Sequence, residues 1–174
     1  MTNFHDFVKT YDVRGLVGSQ LTDQVVECFG AAFADELELA GKKVAVGHDM
    51  RDSSPGFAAA FSAGATKRGA SVVMVGLCST DMNYFASGSM DMPSAMFTAS
   101  HNPASYNGIK FSRAGARGIS LDSGLAAIRD RAEAYLEAGI TPAETAGGIE
   151  DHDVMPGYVD YLLELVPLNQ VRPL

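Results

Sequence analysis

Short apolar runs at Lys42–Asp49, Ser71–Gly76 and Ala95–Phe97 are separated by longer stretches with helical spacing, and this alternation constrains the fold more than any other feature. Consecutive strands joined through a helix must run the same way, because the crossover returns the chain to the same edge of the sheet. The runs are apolar at successive positions, as expected of strands covered on both faces. The predicted class is α/β: a mostly parallel, mixed sheet with helices on both faces.

Between the runs, Thr22 is placed to cap a helix that presents Val25, Phe29, Ala32 or Phe33 and Leu37 until Gly41. Ser54-Pro55 predicts a capped helix start ahead of Phe57, Phe61 and Ala65, and Ser79 caps a short helix over Asp81–Ser87. Thr10–Gly15 reads as a short strand, and Asn107–Ser112 as an antiparallel or edge strand. Asp122 or Ser123 begins a helix with Leu125, Ile128, Ala132 and Tyr135 on one face, ended by Gly139. Residues 141–153, rich in Thr, Gly, Pro and acids, are expected to form a flexible linker between a domain at 1–140 and a last helix within 154–174 that breaks at Pro167. Val171–Leu174 reads as an approach to further chain, so the sequence is expected to be a piece of a longer protein.

The net charge of −8 and pI near 4.8 argue against a nucleic-acid or anionic-membrane surface, both of which call for a positive footprint. No apolar run approaches the roughly 18 residues of a membrane span, and no basic, apolar leader opens the chain. Cys28 and Cys78 lie in apolar surroundings without short spacing, as buried free thiols do, which fits a cytoplasmic location.

The chemistry concentrates where the third run ends, at Thr98-Ala99-Ser100-His101-Asn102-Pro103. A polar loop held by a buried strand displays side chains to a ligand. A serine hydrolase is disfavoured, because Ser100 and His101 point to opposite sides of an extended chain and the Gly-x-Ser-x-Gly elbow is missing. No glycine-rich phosphate cradle is present, and His5, His48, His101 and His152 lack metal-ligand spacing. A displayed serine with Lys110, Arg113 and Arg117 downstream, and with Arg14 as a further cation, suits phosphoryl transfer, which needs positioning and positive charge. On these residues alone a capping serine beside a loop histidine is the simpler reading. Arg113 and Arg117 read as a solvated face, and Asp49 with Arg51 as residues that hold the loop after the first run.

Thr98–Pro103 together with Tyr106-Asn107-Gly108-Ile109-Lys110-Phe111 resembles the phosphoserine loop of the α-D-phosphohexomutases. Tyr11-Asp12-Val13-Arg14-Gly15 is similar to the opening of the phosphomannomutase/phosphoglucomutase branch, and Gly47-x-Asp49-x-Arg51-x-Ser53 fits the family's second motif. The resemblance implies the first domain of an enzyme interconverting hexose 1-phosphates and hexose 6-phosphates, of mannose or glucose, through a hexose 1,6-bisphosphate. It implies that Ser100 carries the phosphoryl group, that Lys110 is the acid/base group, and that His101 and Asn102 shape the loop and hydrogen-bond around it. Arg14 and Tyr11 would line the cleft, and a phosphoserine oxygen at Ser100 would be one ligand of Mg²⁺. The family's Asp-Gly-Asp-x-Asp-Arg metal loop and its sugar- and phosphate-binding loops belong to later domains and are absent here, so these residues alone are expected to be inactive. A non-catalytic α/β binding module is the alternative from another class. A phosphoglucosamine mutase domain is disfavoured by the Tyr11–Arg14 opening.

Overall fold

The computed structural model describes residues 3–166. Among these, seven strands form one sheet in the order β1-β5-β4-β2-β3-β7, with β6 paired to β5. The strands are β1 (Val13–Leu16), β2 (Lys43–His48), β3 (Ser71–Leu77), β4 (Ser94–Phe97), β5 (Tyr106–Arg113), β6 (Arg117–Gly118) and β7 (Ile149–Asp151). β2 pairs in parallel with β3 and β4, β3 with β7, and β5 is antiparallel to β1, β4 and β6. β5 is therefore the one strand among the described residues that runs against the rest. It is antiparallel, as its sequence suggests, but it lies inside the sheet between β1 and β4.

Helices α1 (Asp23–Glu36), α2 (Ser54–Lys67) and α4 (Leu125–Ala138) cover one face, while α3 (Thr80–Ser89) and α5 (Met155–Leu165) lie on the other. The first face holds a continuous aromatic core in which Phe33 and Phe111 stack with ring centroids 4.9 Å apart and Phe61 meets Phe97 edge-on at 5.7 Å. Each buried ring contributes about 2 kcal/mol by leaving water. The second face is built from Ala45, Met82, Met96 and Val154, with Phe85 and Tyr158 packed against them. No described helix is long and apolar enough to cross a membrane.

Several elements depart from the sequence pattern. Thr22 does cap α1, accepting the Val25 N–H at 3.3 Å, but the helix stops at Glu36 rather than reaching Gly41. Glu38 turns left-handed at φ 52°, and the Leu39 N–H returns to the Ala34 carbonyl at 2.8 Å. That Schellman-type closure uses Leu39 as its apolar plug, which imitates a further helical turn in sequence. α2 begins at Ser54, so its N-cap position falls on Ser53, one residue ahead of expectation; the Ser53 side chain makes no capping bond, and the Ser54 hydroxyl is directed to Asp49 instead. Residues 149–151, expected within a flexible linker, form β7 along β3, so part of that segment completes the sheet. The segment before it is also anchored, with Ala143 N–H on the Lys67 carbonyl and Gly147 N–H on the Thr66 carbonyl. The expected break at Pro167 and the terminal residues 171–174 lie outside the described residues.

Candidate active site

β2 and β4 run side by side and end together, so Asp49 and Thr98 are neighbours at the carboxyl edge of the sheet, with Asp49 N–H on the Phe97 carbonyl at 2.9 Å. In α/β sheets this edge is where ligands are met. Beyond it Ser100 is exposed and adopts φ 53°, a left-handed conformation costing a non-glycine residue about 1 kcal/mol. Its N–H is held by the Thr98 hydroxyl at 3.0 Å. Ser100, Asn102, Arg51 and Asp52 line a cleft of about 460 Å³.

Two arginines reach this loop in different ways. Arg51 donates from Nη1 to the carbonyls of Pro103 and Tyr106, both at 2.9 Å, and from Nη2 to those of Ser100 at 2.9 Å and Asn102 at 2.8 Å. Its Nε faces Asp49 Oδ2 at 3.2 Å. Asp49 and Arg51 thus hold a loop far away in sequence, as well as the turn they occupy. Arg14 donates to Asn102 Oδ1 at 3.0 Å and to Asp12 Oδ2 at 2.6 Å, and its buried Nε has no partner among the described residues.

Asp12 is the carboxylate that sequence reasoning passed over. Its Oδ2 also accepts from Lys110 Nζ at 3.3 Å, so one anion holds two cations side by side. The available signal was the two-residue spacing from Arg14, which keeps both side chains on one side of an extended chain. The structure therefore links Lys110, Asp12, Arg14 and Asn102 in one polar chain that ends two residues from Ser100. Tyr11 does not share the Ser100 cleft. It stands 74% exposed over an adjacent concavity of about 310 Å³, with Lys110 and Tyr84. His101 is exposed beside Ser100.

Asp49 is itself held as an anion. Burial pushes its carboxyl up, but the Ser54 hydroxyl at 2.6 Å, the Arg51 N–H at 3.0 Å, the Thr98 hydroxyl and the Arg51 charge together bring it below the ordinary carboxylate value. Ser54 Oγ also accepts from the buried Asn107 at 2.9 Å, which ties α2 to β5. At the next residue, Gly108, a Cβ would lie 2.3 Å from the Val13 carbonyl oxygen and 2.8 Å from that of Thr98. Only glycine lets β5 pass between the strand of Arg14 and the serine loop.

A larger concavity of about 680 Å³ lies elsewhere, between α3 and α5, walled by Phe85, Tyr158 and Leu162. Among the described residues that line it there is no cation, whereas the edge carrying Ser100 gathers Arg14, Arg51 and Lys110. Among the described residues, no group of three or more His, Cys, Asp or Glu is placed to hold a metal ion.

Residues 5–138 match the family described as phosphoglucomutase/phosphomannomutase, alpha/beta/alpha domain I. The chain belongs to this family. Over 167 residues it is 38% identical to the phosphohexose mutases of Xanthomonas campestris pv. campestris, and 34% identical to the phosphomannomutase of Salmonella typhimurium. Each alignment covers 95% of this chain and 36% of the relative. A crystal structure of a phosphoglucomutase/phosphomannomutase family protein from Burkholderia thailandensis superposes with a TM-score of 0.79 at 29% identity, over 94% of this chain and 36% of that one. The chain thus spans about a third of the length of the phosphohexomutases it matches, and it corresponds to their first α/β/α domain.

Proposed function

We propose that this chain is the phosphoserine-bearing domain of a phosphohexomutase that interconverts hexose 1-phosphates and hexose 6-phosphates through a hexose 1,6-bisphosphate. The observation that carries the reading is Ser100, exposed in a strained left-handed conformation at the sheet's carboxyl edge, on a loop bonded to both Arg51 and Arg14 through its backbone and Asn102. Strain of this kind persists only where the surroundings over-determine it, and it collects at functional sites.

In the forward half-reaction the phosphoryl group leaves Ser100 Oγ for a sugar hydroxyl: the Oγ–P bond breaks and a sugar O–P bond forms, while Lys110, as the acid/base group, gives a proton to the departing Ser100 Oγ and regains one from the sugar hydroxyl. The bisphosphate then reorients, and its other phosphoryl group returns to Ser100. A phosphoserine carries about −2 charge. Arg14 spends only two of its five N–H donors, on Asn102 and Asp12, and Lys110 has a single carboxylate partner, so both retain donors for an anion. Asp12 keeps these cations together without saturating them. His101 and Asn102 complete the loop around the phosphoryl group, and Tyr11 borders the approach on the Lys110 side.

Mg²⁺ would neutralise charge on the transferred group. The oxygen donors here fit a single contribution to it, the phosphate on Ser100, and the remaining ligands would come from later domains. Hexose phosphates and those domains are the proposed partners, and residues 1–174 alone are proposed to be inactive.

The test uses the full-length protein, incubated with a hexose 1,6-bisphosphate and followed by peptide mass spectrometry. Ser100 should gain one phosphoryl group, and Ser100→Ala should abolish both this and mutase turnover. A full-length protein that never phosphorylates Ser100, or an active Ser100→Ala variant, removes the enzymatic reading.

A further inference from the structure

A guanidinium has five N–H donors in a fixed planar fork. In Arg51 all five are spent: one on Asp49 and four on the carbonyls of Ser100, Asn102, Pro103 and Tyr106. Its side chain is only 12% exposed. Arg51 therefore cannot bind a substrate anion without releasing the serine loop, in contrast to Arg14. We propose that Arg51 is a positioning residue, whose fork on the loop carbonyls sets the orientation in which Ser100 receives and gives up its phosphoryl group. This rests on the reading of Ser100 as the phosphoryl carrier.

The clamp is anchored on its far side. Asp49 accepts the Arg51 N–H at 3.0 Å as well as its Nε, and the Ser54 hydroxyl at 2.6 Å. Asn107 closes the link by donating to Ser54. The fork therefore refers the loop to the end of β2, the start of α2 and β5 together. No peptide bond in the described chain is cis, so the His101 N–H lies opposite the Ser100 carbonyl in its peptide plane and points away from Arg51. Arg51 thus draws carbonyl dipoles toward itself and turns a donor the other way. Carbonyl oxygens bonded to a guanidinium are less able to repel a doubly negative phosphoryl group on Ser100.

Arg51→Lys and Arg51→Ala in the full-length enzyme test this, with wild type beside them in every assay. A lysine keeps the charge but offers three donors from one point, which cannot span four carbonyls. The Lys variant should fold, lose kcat by about 100-fold, the effect of a misplaced reacting group, and keep KM for hexose phosphate within about twofold. Amide hydrogen exchange over residues 98–106 should quicken, and added guanidinium ion should restore part of kcat to Arg51→Ala. Folded variants with wild-type kcat, a loss confined to KM, or the unfolding of both variants would overturn the positioning role. A wild-type enzyme that never phosphorylates Ser100 would instead overturn the functional reading, which separates the two failures.

Discussion

Arg14 Nη1 donates to Asn102 Oδ1 at 3.0 Å, joining the first strand of the sheet to the loop that carries Ser100. Asn102→Ala removes this acceptor while Asp12 and Arg51 keep their own bonds. Loss of a partly buried bond to a charged group should cost about 1–2 kcal/mol of stability. In the full-length enzyme the rate of Ser100 phosphorylation should fall about tenfold, because the Arg14 donors lose their aim. Urea denaturation reads the first effect and rapid-quench mass spectrometry the second. A variant with wild-type phosphorylation kinetics would show that the bond only packs the loop.

Gly108→Ala should act on folding before it acts on chemistry. The added methyl would meet backbone oxygens of Val13 and Thr98, which cannot rotate away as side-chain atoms can. A loss of about 3 kcal/mol is expected, the upper range for overpacking. Thermal unfolding of residues 1–174 measures it, and an unchanged midpoint would mean that β1 and the serine loop separate easily.

Asp49 makes stability depend on acid. Its carboxyl is held below the ordinary value of 3.8, so the folded protein binds that proton less readily than the unfolded chain does. The contribution is complete above pH 3.8 and is lost as pH falls from there toward the lower folded value. Asp49→Asn should be less stable at neutral pH, and the gap to wild type should narrow as a melting series descends through pH 4 into more acidic buffer. A gap that stays constant would exclude Asp49 as a source of acid sensitivity.

Burial, assisted by Glu27 at the first site and Asp49 at the second, pushes the thiols of Cys28 and Cys78 up to about 11. The reactive thiolate is thus scarce as well as enclosed. Native protein at pH 8 should resist iodoacetamide at both positions, and both should alkylate in denaturant. Intact mass decides this; rapid labelling of Cys78 in native protein would mean that the α3 side of the sheet opens.

The strand-and-helix alternation determined the parallel part of the sheet, because burial on both faces writes its signature into consecutive residues. The Thr22 and Ser79 caps were legible for the same reason, since a cap bonds an N–H three residues on. The Ser100 loop could be found from its motif. The interior place of β5 and the addition of β7 were not legible: a strand's neighbours are chosen by topology, and Ile149–Asp151 is too short and polar to show a period. The site divides along the same line. Ser100, Lys110, Arg14 and Asn102 stand in recognisable runs, but the sharing of Asp12 by two cations and the reach of Arg51 to a carbonyl 49 residues away appear only in three dimensions. Side-chain periodicity reports which face a residue occupies, within a few positions of itself. How a guanidinium's five donors are spent depends on which backbone oxygens the completed sheet brings within 3 Å, and tertiary structure alone decided that Arg51 would hold the loop while Arg14 kept donors to spare.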